Sequence, residues 1–153
     1  MMIFPVPDAE AKRGIARSIL EALTEWFGIP EAREAYIRES AGQIMVASKD
    51  GDTTNGFLCL KETGRDTVEI AVMGVLKEYH RKGIGTKLFE AAKAIAVEIG
   101  YSFMQVKTVQ MGRYEEYDCT NRFYLSLGFK EFEVFPTLWD EWNPCQIYVM
   151  SLA

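Results

Sequence analysis

The chain has 153 residues, of which 48% are hydrophobic and 25% charged, with a formal net charge of -5. That length supports one compact domain over residues 1–153, and the composition excludes disordered and fibrous classes. The negative charge argues against a surface built to neutralise nucleic-acid phosphates, and no apolar run approaches the roughly 18 residues of a membrane span.

Met1-Met2-Ile3-Phe4-Pro5 lacks a basic segment followed by a long apolar stretch, so no secretory signal is expected. The three cysteines, Cys59, Cys119 and Cys145, are odd in number and share no metal-type spacing. They read as reduced thiols in a cytoplasmic protein without a metal.

A short strand is expected at Ile3 to Val6. From Asp8 to Phe27 the pattern predicts a helix, with Ile15, Ile19, Leu23 and Trp26 on one stripe, Asp8 as N-cap and Gly28 as stop. Pro30 opens a second helix through about Glu39. Gln43 to Ser48 and Phe57 to Lys61 read as strands around the turn residues Lys49 to Asp52. After the turn Gly64-Arg65-Asp66, Thr67 to Val75 is the clearest strand, in which Gly74 marks a bulge or a close approach to the backbone.

A helix follows from Gly85 to Ile99, with Leu88, Ala92, Ile95 and Ile99 inward, Lys87, Glu90 and Lys93 outward, and Gly100 as its end. Then come a strand from Phe103 to Val109, a helix from about Thr120 to Leu127 stopped by Gly128, and strands at Phe129 to Phe135 and Gln146 to Leu152. An aromatic, acidic loop, Trp139-Asp140-Glu141-Trp142, separates the last two. The order describes a mixed α/β sheet rather than a clean βαβ alternation.

Gly83 and Gly85 stand between the clearest strand and the clearest helix. Helix-start amides lack intrahelical partners, the macrodipole adds positive charge, and glycines admit an anion close to the backbone. Arg81, Lys82 and Lys87 add charge, so the place suits a diphosphate. A tight turn that binds nothing is the competing reading. A Walker-type loop fails because no Gly-Lys-Ser/Thr follows the spacer, and a dinucleotide loop fails because Leu88 stands where the third glycine belongs.

The segment Val75-Leu76-Lys77-Glu78-Tyr79-His80-Arg81-Lys82-Gly83-Ile84-Gly85-Thr86-Lys87-Leu88 resembles the coenzyme-A loop of the GNAT acyltransferase superfamily, Gln/Arg-x-x-Gly-x-Gly/Ala, with His80 at the first position. Downstream, Asn121-Arg122-Phe123-Tyr124-Leu125-Ser126-Leu127-Gly128-Phe129 is similar to that family's Asn-x-x-x-Tyr-x-x-x-Gly-Phe helix. Two motifs in the right order are far more specific than either alone. The likeness spans Ile44 to Leu152, and the first two helices match by position only.

The resemblance implies a GNAT-like mixed, mostly antiparallel sheet flanked by helices, with splayed central strands. It implies an N-acetyltransferase that moves an acetyl group from acetyl-CoA to a primary amine by direct attack in a ternary complex. Met73, Gly74 and Val75 would pair with the pantetheine arm. His80, Arg81, Lys82, Gly83, Ile84, Gly85 and Thr86 would hold the diphosphate, mainly through amides. Tyr124 would protonate the leaving thiolate, because a phenol is a neutral donor at pH 7; alone it would read as a core tyrosine. Asn121 would contact the cofactor or cap its helix. Glu69 would serve as base, against the alternatives of a salt bridge and a simple water relay. His80, the only histidine, is not assigned as base.

Tyr36, Tyr114, Tyr117, Trp139 and Trp142 are candidate walls for the acceptor, and Glu115, Glu116, Asp118, Asp140 and Glu141 candidate attractors of an ammonium, although most such carboxylates simply face water. The expected acceptor is a small amine, an amino acid or a peptide. Neither nucleic acid nor membrane is expected as a partner, and a homodimer is left open. A non-catalytic acyl-CoA sensor is the competing reading from another class, and a structural domain with an empty turn is the third.

Overall fold

The computed structural model describes residues 1–152. Its elements are β1 (Met2–Pro5), α1 (Ala9–Leu20), α2 (Pro30–Ser40), β2 (Ile44–Asp50), β3 (Thr53–Gly64), β4 (Thr67–Val75), α3 (Ile84–Ile99), β5 (Phe103–Val109), α4 (Glu115–Ser126), β6 (Lys130–Asp140) and β7 (Asn143–Ser151). The strands form one seven-stranded sheet in the order β1-β2-β3-β4-β5-β7-β6. The pairs β1/β2, β2/β3, β5/β7 and β6/β7 are antiparallel, so the expected mixed α/β class with a mostly antiparallel sheet holds. The chain divides into two compact units, one of residues 1–61 and 70–99, the other of 62–69 and 100–153.

In the first unit, α1 starts where Asp8 accepts a hydrogen bond from the Ala11 amide at 2.9 Å, satisfying a helix-start donor. The helix ends at Leu20, well before Gly28. Beyond it the chain tightens, with the Ala22 and Leu23 amides donating to the Ile19 and Leu20 carbonyls. Leu23 still packs inward, so the apolar stripe outlasts the helix. Gly28 has its own reason: a Cβ there would lie 2.8 Å from the Thr24 carbonyl oxygen.

Ala16, Ile19, Leu20 and Leu23 pack with Ile37 of α2 and with Met45, Ala47, Phe57, Cys59 and Val72 of the sheet. Each large apolar side chain buried there contributes about 1.5–3 kcal/mol. Gly74 marks a close approach: its Cβ would meet Leu23 at 3.0 Å and Ile19 at 3.1 Å.

Between β2 and β3 the register shifts: Ser48 pairs with Gly56, Lys49 with Thr54, and Asn55 is the extra residue. This bulge turns Asn55 fully inward, where Ser48 Oγ donates to its Oδ1 at 2.6 Å. On α3 the buried face is Leu88, Phe89, Ala92 and Ala96, whereas Ile99 is 55% exposed. The expected stripe is kept at Leu88 and Ala92, is half-buried at Ile95, where Ala96 takes the inward position, and is lost at Ile99.

In the second unit, α4 packs on β5, and β7 lies between β5 and β6. The helix begins at Glu115, five residues before the expected Thr120. Glu115, Glu116 and Asp118 occupy its first turn, where carboxylates are favoured by the macrodipole. The expected loop at 139–142 is a tight turn. Trp139 and Asp140 end β6, and the Asp140 carboxylate accepts from the Trp142 and Asn143 amides at 2.8 and 2.9 Å. Those bonds and the Asn143 side chain hold the Asp140 carboxyl below its ordinary range, the Asn143 side chain contributing most.

Candidate active site

Of the residues singled out in the sequence, Met73, Gly74, Val75, His80, Arg81, Lys82, Gly83, Ile84, Gly85 and Thr86 lie in the first unit, and Glu69, Asn121 and Tyr124 in the second.

β4 ends at Val75, and a single turn of 3-10 helix, Lys77–Tyr79, follows. The peptide group joining Val75 to Leu76 is bound on both sides. The Leu76 amide donates to the carbonyl of the bulged Asn55 at 2.9 Å, and the Val75 carbonyl accepts from His80 Nε2 at 2.6 Å. The His80 ring meets Trp26 edge-on, centroids 5.7 Å apart at 71°. Lys77 pairs with Glu25 on the segment after α1, which lowers the Glu25 carboxyl below its ordinary range, with a smaller contribution from His80.

Arg81 then adopts φ +63°, and Gly83 adopts φ +77°. For an arginine the left-handed region costs about 1–2 kcal/mol, and such residues gather where backbone groups are aimed at a ligand. Nothing in the sequence marks Arg81 for that conformation. Gly83 caps α3, its carbonyl accepting from the Lys87 amide at 3.1 Å. The amides of Gly83, Ile84, Gly85 and Thr86 therefore have no intrahelical acceptor. Ile84 points into the core at 1% exposure and anchors the turn. Arg81, Lys82 and Lys87 are exposed, and Lys82 Nζ sits 5.4 Å from the Tyr79 ring centre. Open amides, a positive helix end and flanking cations together fit a diphosphate.

In the second unit, Asn121 is fully buried inside α4. It does not cap the helix, whose N-cap is Tyr114. Its Nδ2 donates to the carbonyls of Val109 at 2.9 Å and Tyr117 at 2.7 Å. Its Oδ1 accepts from the Tyr148 hydroxyl at 2.6 Å. Tyr124 lies one turn on, 6% exposed, its ring against Phe123, Phe129 and Tyr148.

Glu69 is also buried, at 5% exposure. Its Oε1 pairs with Lys107 Nζ at 2.9 Å and accepts from Gln105 Nε2 at 2.8 Å. Of the readings open from sequence, the salt bridge is present. Both partners lie on β5, at positions that alternate to one face, a relation visible only once the strands are placed.

The aromatic candidates separate. Tyr36 meets Phe27 edge-on in the first unit. Tyr114 and Tyr117 form an edge-on pair, centroids 6.0 Å apart, at the start of α4. Asp118 accepts from the Gly112 amide at 2.7 Å, closing the loop before that helix. Trp139 and Trp142 are exposed. Burial pushes the Cys59 thiol up to about 12 and the Cys145 thiol up to about 11, the reverse of an activated nucleophile. Among the described residues no group of three or more His, Cys, Asp or Glu could hold a metal ion, and no helix is long and apolar enough to cross a membrane.

A family model described as the acetyltransferase (GNAT) domain matches residues 40–131. An uncharacterized N-acetyltransferase of Chlorobaculum tepidum is 28% identical over 120 residues, which cover 76% of this chain and 64% of the relative, so the match spans less than two thirds of that protein. Two solved structures share the fold. One, a candidate acetyltransferase of the GNAT family from Desulfovibrio desulfuricans, is 17% identical with a TM-score of 0.81 over 99% of both chains. The other, an aminoglycoside 6'-N-acetyltransferase complexed with coenzyme A, is 18% identical with a TM-score of 0.76 over 100% of this chain and 98% of its own.

Proposed function

The chain belongs to the acetyltransferase (GNAT) family, and we propose that it transfers an acetyl group from acetyl-CoA to a primary amine, by direct attack in a ternary complex. The observation that carries this reading is the left-handed Arg81 followed by Gly83 at the head of α3. A conformation that costs energy is kept where it opens a row of amides beside three cations. The complex of the similar aminoglycoside enzyme with coenzyme A supports the same ligand.

Bound acetyl-CoA supplies an activated acyl carbon and a thiolate leaving group. The amides of Gly83, Ile84, Gly85 and Thr86 hold the diphosphate, and Arg81 and Lys82 neutralise its charge. The backbone of β4 aligns the pantetheine arm. That alignment falls to Met73, Gly74 and Val75, although the Val75 carbonyl already accepts from His80. Asn121, with both amide hydrogens bound, meets the cofactor through the second lone pair of Oδ1.

As the amine nitrogen bonds to the acyl carbon and the carbon–sulfur bond breaks, Tyr124 passes its proton to the sulfur. Glu69, whose Oε1 is already shared by two donors, takes through an ordered water the proton that the ammonium sheds before attack, and the proton that nitrogen loses after attack returns to the Tyr124 phenolate. The acceptor is a small amine, an amino acid or a peptide, which reaches the site as a cation and attacks after losing a proton. Tyr114 and Tyr117 are proposed as part of its wall. Aminoglycoside 6'-N-acetyltransferase, with its amine-bearing small-molecule acceptor, supports the small-molecule choice.

Calorimetry with acetyl-CoA tests the loop. Gly85 lies inside the first turn of α3, where valine is tolerated by the helix but crowds an incoming phosphate. The wild type binds, and Gly85→Val binds at least tenfold more weakly while melting near the wild-type temperature. Equal affinity in the folded variant would remove the diphosphate from this loop.

A further inference from the structure

We propose that His80 is a positioning residue for the diphosphate loop, acting through its hydrogen bond to the Val75 carbonyl and not as a cationic partner of the phosphates. The inference rests on the acetyl-CoA reading and deepens it.

A carbonyl oxygen can only accept, so His80 Nε2 carries a hydrogen. That hydrogen is present in one neutral tautomer and in the imidazolium alike. The contact therefore survives deprotonation of the ring. Its target is not an arbitrary carbonyl. The Leu76 amide of the same peptide group is fixed by Asn55, so His80 completes a clamp on both sides of the last peptide of β4. The ring is exposed, and Trp26 packs against one edge of it.

The next residue, Arg81, is the strained one. A costly backbone conformation persists where its surroundings over-determine it. His80 is held twice, by its ring and by its amide, which donates to the Lys77 carbonyl at 3.1 Å. Released from Val75, the segment from Lys77 to Lys82 relaxes, and the ligand must order it again on binding. Glu25, on the segment after α1, is the charged group that interacts with the ring, and it is paired with Lys77 of the 3-10 turn; Arg81 and Lys82 follow the ring along the chain.

The test uses 3'-dephospho-CoA, whose diphosphate keeps its charge between pH 6 and 8.5, so that a titration in that window belongs to the protein. Calorimetry is run on wild type, His80→Ala and His80→Gln across the window. Wild-type affinity stays flat. His80→Ala binds about threefold to tenfold more weakly at every pH, the equivalent of one net hydrogen bond. His80→Gln, whose carboxamide can donate in place of Nε2, recovers most of the loss. Because this is the only histidine, its ring nitrogens can also be read directly by nitrogen NMR of the unaltered chain, and the neutral form carries its hydrogen on Nε2.

Affinity unchanged in His80→Ala overturns the proposal. So does a glutamine variant as weak as the alanine one, or a neutral ring protonated on Nδ1. A wild-type affinity that falls steeply through the imidazole range, with His80→Gln flat, assigns the ring to the phosphates instead. Absence of binding by the wild type sinks the acetyl-CoA reading itself and this inference with it; binding by the wild type with an unaffected His80→Ala sinks this inference alone.

Discussion

Asn121→Ala removes a fully buried polar side chain of the second unit. Three hydrogen bonds go: to Val109 at 2.9 Å, to Tyr117 at 2.7 Å and from Tyr148 at 2.6 Å. The Tyr117 carbonyl keeps the helix bond that position gives it. The Val109 carbonyl and the Tyr148 hydroxyl are left in a buried setting, with Val109 7% and Tyr148 1% exposed. Each orphaned group costs about 1–3 kcal/mol, and alanine's better helix propensity returns about 0.5 kcal/mol. The expected net loss is about 1.5–5.5 kcal/mol, or roughly 4–16 °C in Tm for a chain of this size.

Tyr148→Phe alone removes one partner and costs about 1 kcal/mol. Once the hydroxyl is gone, deleting Asn121 orphans one group fewer. The double variant is therefore more stable than the sum of the singles predicts, by about 1 kcal/mol or more. Urea unfolding followed by circular dichroism on the four proteins reads this cycle. A loss below about 1 kcal/mol in Asn121→Ala, or strict additivity, would refute the claim that the three bonds act as one network. Calorimetry with acetyl-CoA on the same variants reads the proposed Oδ1 contact separately from stability.

Tyr124→Phe lowers kcat at least tenfold while leaving acetyl-CoA affinity near wild type, because the lost proton is needed only as sulfur departs; wild-type turnover in this variant would return Tyr124 to the core. Glu69→Gln lowers kcat/KM and displaces the acid limb of its pH profile, and it leaves Lys107 without the carboxylate seen at 2.9 Å. An unchanged limb would confine Glu69 to the salt bridge. Arg81→Gly relieves the left-handed strain at φ +63° and raises stability by about 1 kcal/mol, read as a higher Tm without ligand, while weakening acetyl-CoA binding; a lower Tm would show that Arg81 is not strained.

The sequence was most legible where turn chemistry brackets an element. β4 runs from Thr67 to Val75 and β5 from Phe103 to Val109, as expected, because Gly64-Arg65-Asp66 and Gly100 punctuate them. Gly100 and Gly128 do adopt left-handed φ, +110° and +104°. The end of α1 is not legible in the apolar pattern because Leu23 goes on facing the core after the helical bonding stops. The start of α4 is not legible because its acids resemble those of a wet loop, although a helix N-terminus favours them.

At the site, the glycines and cations of the loop could be found by type and order. The conformation of Arg81 could not, since no residue pattern encodes it. The Asn55 bulge, the His80 contact and the Glu69 cluster with Gln105 and Lys107 each join residues from different elements. Their partners become visible only when register fixes which residues face one another.

The central claim is acetyl transfer to an amine, and amine-dependent release of free coenzyme A from acetyl-CoA tests it most directly. A thiol-reactive dye follows the release across a panel of aminoglycosides, small polyamines, amino acids and peptide N-termini. At least one amine is expected to release thiol in step with formation of its N-acetyl product by mass spectrometry, with Tyr124→Phe far slower on that amine. A protein that binds acetyl-CoA tightly yet releases no thiol above the amine-free rate with any member of the panel would contradict catalysis and make the chain an acyl-CoA sensor.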